Sequence, residues 1–110
     1  MADSASTTRL RGLVDGARDG ALLRMSLANA LLADGNPDEA LAQVRRALQF
    51  DADYSAAWKL LGRLLTERSD NVAAADAYRA GIAVAEKRGD KQALKEMQVF
   101  LRRLQKIAPG

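Results

Sequence analysis

The sequence predicts an all-α protein built from repeated helical hairpins. Two observations carry that prediction: a repeat every 34 residues, and a composition of helix formers. Ala21 to Tyr54 aligns over Ser55 to Arg88 without a gap. Leu27 falls on Leu61, Ala28 on Gly62, Leu31 on Leu65, Ala40 on Ala74, Val44 on Tyr78 and Ala47 on Gly81. A fixed period of this size marks a solenoid, in which each unit needs a neighbour to bury its apolar face. Alanine, leucine and arginine dominate, and no run of β-branched residues reads as a strand.

The elements follow in order. Residues 1–8 are small and polar and offer nothing to bury, so they are expected to be disordered. Leu10, Leu13, Val14 and Ala17 recur at helical spacing and suggest a short helix within residues 9–20, weakened by Gly12 and Gly16. The first clear helix runs from about Gly20 to Ala33, with Leu23, Leu27, Ala30 and Leu31 on one face. Gly35 supplies a left-handed stop. Asn36, Pro37 and Glu39 then form a start signal: a cap, a first-turn proline and a capping-box acid. The second helix extends to about Phe50. Asp53 is the expected cap of a third helix reaching about Arg68. Ser69-Asp70-Asn71 precedes a fourth, to about Lys87. Gly89-Asp90 separates that helix from a last one, Lys91 to about Ile107.

These residues resemble a tetratricopeptide repeat. In the second unit Trp58, Leu61, Gly62, Ala74 and Tyr78 match the landmark types and offsets of that family. In the first, Leu27, Asn29-Ala30, Gly35, Asp38-Glu39-Ala40, Ala47-Leu48 and Asp51 fit the same pattern. The resemblance implies a right-handed α–α superhelix of about five helices. It divides the chain into repeats at 21–54 and 55–88 and a capping helix at 90–108. Small residues are needed where antiparallel helices cross (Ala28, Ala40, Ala47, Gly62, Ala74, Gly81), and Trp58 is expected to anchor the core. Arg24 stands where the first unit would carry tryptophan, so its helix is expected to face more solvent there.

Composition narrows the chemistry. With 110 residues the chain makes a small domain, and it has no cysteine and no histidine. Disulfides, thiolate metal sites and the commonest general base are therefore excluded. No stretch reads as a signal peptide or a bilayer span, so a cytoplasmic location is expected. Asp34, Asp38, Glu39, Asp51 and Asp53 sit at helix ends, where capping explains them. No phosphate loop or nucleophile–base set is present, and the chain reads as a non-enzyme with no cofactor.

The resemblance implies that the first helix of each unit lines a concave groove. Its positions are Leu22, Met25, Asn29 and Leu32, then Ala56, Lys59, Arg63 and Thr66. Such a groove suits a protein or peptide partner bearing an acidic group, held by charge-assisted bonds from Lys59 and Arg63. The lysine–asparagine carboxylate clamp of some family members is not expected, because Met25 and Leu60 replace its landmarks. Exposed Leu22 and Met25 would instead favour a homodimer, the main alternative. From Lys87 to Lys106 seven basic residues face two acidic ones, for +5, while residues 1–86 carry −2. That basic end invites a nucleic-acid reading, but Phe100 stands alone there, without an aromatic set for base stacking. A solvating cap is the expected role.

Overall fold

The computed structural model describes residues 2–107. They form six helices and no strand: α1 (Ala5–Arg11), α2 (Ala21–Ala33), α3 (Pro37–Phe50), α4 (Ser55–Glu67), α5 (Asn71–Arg88) and α6 (Lys91–Ile107). The chain divides into two compact units, Met1–Ala52 and Asp53–Gly110. In the first, α2 packs on α3 and α1 packs on α2. In the second, α5 packs on both α4 and α6, and α6 also touches α4.

Each hairpin closes on the residues that the period brings into register. In the first unit Leu27, Ala28, Leu31, Ala40, Val44 and Ala47 are all sealed from solvent. In the second, Leu61, Leu64, Leu65, Ala74, Tyr78, Ala85, Met97 and Leu104 do the same. Trp58 is half-buried, so the sealed aromatic of this core is Tyr78, not the tryptophan. The helix stops are as physical chemistry requires. Gly35 (φ 77°) and Gly89 (φ 70°) take the left-handed conformation, and Ser69 takes it at φ 62°, 34 residues after Gly35. Neither α3 nor α5 has a proline near its end, and α5 runs to 18 residues against 14 for α3.

The structure corrects five further expectations. Residues 2–8 are not disordered, and the first helix lies at Ala5–Arg11, ahead of the stretch whose apolar spacing suggests one. The missed signal is Ser4, whose hydroxyl caps α1 by accepting the Thr7 N–H. Residues 12–20 form turns, with Asp15 at φ 66° and Leu13 exposed. Glu39 does not complete a capping box. Asn36 caps α3 alone, through the Glu39 N–H, and the Glu39 carboxylate accepts from Asn36 Nδ2 and from Arg11. Asp53 does not cap α4, since its carboxylate accepts Lys87 Nζ at 2.8 Å. Arg24, expected to face solvent, is only 6% exposed. Residue 108, the end of the expected last helix, lies outside the described residues.

Candidate functional site

In the first unit the candidate positions lie on α2. Helical rotation sends them to different environments. Leu22 is 72% exposed and Asn29 is exposed, Leu32 is half-buried, and Met25 is buried at 6%. Met25 is therefore not available to a partner, and of the apolar pair that would drive self-association only Leu22 is at the surface. Residues missed by the sequence reading surround this helix. Arg24 donates Nε to Asp19 Oδ1 at 2.9 Å, Nη2 to Asp19 Oδ2 at 2.7 Å and Nη1 to Gln43 Oε1 at 3.1 Å. Its guanidinium also sits 5.8 Å from the Phe50 ring centre. A guanidinium has no acceptor and many donors, so burial forces this full set of partners. The Arg24 hydrogen bonds hold the Asp19 carboxyl far below the usual carboxylate range.

The turn between α2 and α3 is the anchor of α1. Asp34 Oδ2 accepts the Ser4 N–H at 3.0 Å and the hydroxyl of fully buried Thr7 at 2.6 Å. Arg11 bridges Asp3 and Glu39, with Nη2 to Glu39 Oε1 at 2.9 Å. Asp34 is pushed down by the Ser4 backbone and Thr7 hydroxyl bonds, and Glu39 by its bond from Arg11. The carboxyls of Asp3 and Asp53 are lowered by Arg11 and Lys87. All five shifts move away from the neutral range in which a general acid or base works.

In the second unit the candidate positions lie on α4. Lys59 is half-buried, Arg63 is exposed one turn further on, and half-buried Thr66 spends its hydroxyl on the Gly62 carbonyl at 2.7 Å. Lys59 lines a cleft of about 210 Å³ between α4 and α6, walled by Ser55, Ala56, Asp90, Ala93 and Glu96. Its ammonium meets Glu96 Oε2 at 3.1 Å, a pairing across helices that sequence spacing does not reveal. Ser55 Oγ donates to Asp90, which also caps α6 through the Ala93 N–H. The cleft is thus polar and its one cation is already matched. Arg63 has no ion pair among the described residues. Among them, too, no acidic, histidine or cysteine cluster could hold a metal ion, and no helix is long and apolar enough to cross a membrane.

Comparison with known proteins places this geometry. A family model described as tetratricopeptide repeat matches residues 21–64. A TPR repeat-containing protein of Pseudomonas aeruginosa is 44% identical over 86 residues, covering 78% of this chain and 82% of its own. Among solved structures, a Bordetella parapertussis protein determined in solution superposes with a TM-score of 0.79 at 43% identity, covering 94% of this chain and 90% of that one. The crystal structure of a Salinibacter ruber tetratricopeptide repeat domain gives 0.74 at 29% identity, covering 77% of this chain and 96% of its own. A solution structure of that Salinibacter ruber domain gives 0.78 at 27% identity, with coverages of 87% and 96%. Both the repeat period and these likenesses lead to one conclusion: the chain belongs to the tetratricopeptide repeat family.

Proposed function

We propose that the protein is a binding module that holds a peptide or protein partner on the exposed face of α4. The observation that carries this reading is Arg63, an exposed cation without a described carboxylate partner, one turn from a cleft whose Lys59–Glu96 pair is more than one-third exposed on both sides. An exposed pair of this kind is worth only about 0–1 kcal/mol. A ligand carboxylate can therefore take Lys59 from Glu96 at little cost while a second acidic group meets Arg63. The helices that wall the cleft pack on each other without ligand, so binding needs little ordering.

Surface display of short peptides, screened against the purified chain and its Lys59→Glu/Arg63→Glu variant, tests the reading. A set of acidic peptides should be selected by the parent and lost with the variant. Selection that ignores the double reversal would place the binding face elsewhere.

A further inference from the structure

The outer face of α6 carries one sign of charge only. At 100° per residue, Lys91, Lys95, Arg102 and Lys106 fall within a sector of about 60° and span about 22 Å of helix. All four are exposed, and the sector lies opposite buried Met97 and Leu104. None has an ion pair with a described residue, whereas Arg79 of α5 pairs with Asp76 and Lys87 with Asp53. The single carboxylate of α6, Glu96, is turned to Lys59 of α4.

Solvation does not require this arrangement. α3 mixes Asp38 and Glu39 with Arg45 and Arg46, and α5 mixes Asp76 and Glu86 with Arg79 and Lys87. Mixed signs solvate a helix equally well. Half-buried Val99 sits between the two cation pairs, at the edge of the row.

We infer that the outer face of α6 is a second docking surface, whose occupant is an acidic amphipathic helix of a partner protein. A helix with carboxylates four, seven and four residues apart sets them on one face at the rise of the cation row, with an apolar residue near Val99. This surface is separate from the α4 face. Nucleic acid is a poorer fit: Phe100 is engaged with Tyr78 at 5.6 Å and with the Arg103 guanidinium at 5.8 Å, so no aromatic platform is offered to bases. A membrane is poorer still, because the apolar side of α6 is spent on α5.

The test titrates the full chain into a fluorescein-labelled synthetic helix with glutamates at that spacing and one central leucine, read by anisotropy. A peptide of the same composition, with its glutamates spread around the helix, is the control. The patterned peptide should bind at low salt and weaken as salt rises. Lys95→Glu/Arg102→Glu should reduce binding by at least about tenfold, a larger loss than the charge-matched Lys59→Glu/Arg63→Glu produces. Should the first pair fail to fold by circular dichroism, Lys95→Gln/Arg102→Gln replaces it, with a loss in the same direction. No binding, equal binding of the control peptide, or a loss on the α4 face instead would overturn the inference. Tighter binding of a short DNA duplex, or of phosphatidylserine vesicles, would overturn it as well.

Discussion

Gly81 on α5 faces Met97 on α6 so closely that a Cβ at Gly81 would lie 2.4 Å from the Met97 sulfur and 2.8 Å from Trp58 Cβ. The thioether can move, but Trp58 Cβ is fixed to the α4 backbone. Gly81→Ala gains about 1 kcal/mol of helix propensity and loses about 1–3 kcal/mol to overpacking, so chemical denaturation should find it neutral to destabilising.

Gly62 has the stiffer neighbour. A Cβ there would meet three atoms of the Tyr78 ring at 2.5–2.7 Å. The first unit holds Ala28 and Val44 at the same two positions, a larger residue against a smaller one. Gly62→Ala should cost about 1–3 kcal/mol. Combined with Tyr78→Val it should cost less than the sum of the two singles, with a coupling of at least about 0.5 kcal/mol in a double-mutant cycle.

Ser69 ends α4 at φ 62°, a conformation that disfavours any residue with a Cβ, where Gly35 ends α2 at φ 77°. Ser69→Gly should therefore stabilise the chain by about 0.5–1 kcal/mol, seen as a melting temperature a few degrees higher. An unchanged or lower midpoint would show that the Ser69 turn carries no strain.

Arg24 and Asp19 are each 8% exposed at the side chain, while the Arg79–Asp76 pair is more than half exposed. Removing one partner of a buried pair strands the other. Arg24→Ala should lower the melting temperature well beyond Arg79→Ala, and the thermal scan of the two variants side by side decides it.

Acid should unfold the protein through its carboxylates. The folded-state pKa values of Asp19, Asp34 and Glu39 lie below their ordinary values, set by Arg24, by Ser4 and Thr7, and by Arg11. Groups lowered on folding stabilise fully above their unfolded values and lose that contribution as pH falls through the folded ones. With no histidine in the chain, stability measured by denaturant should change little from about pH 7 to 5 and drop below about pH 4. Thr7→Val, which removes a hydroxyl donor from Asp34, should make the drop smaller.

The sequence by itself determined the helices that the period repeats, the turns at Gly35 and Gly89, and the small residues at the crossings. Those features depend on residues near each other in the chain, where spacing and capping chemistry act directly. Asn29, Lys59 and Arg63, which the family resemblance assigns to a binding groove, each keep part or all of the side chain accessible. Only tertiary structure decided the rest. Met25 is covered, Arg24 is drawn inside by Asp19 and Gln43, and Lys59 is matched by Glu96 from 37 residues away. Thr7 and Asp34 likewise meet across 27 residues to hold a helix that polar composition argued against. Periodicity reports which face of a helix is apolar. It does not report which distant charge will arrive to neutralise the polar one.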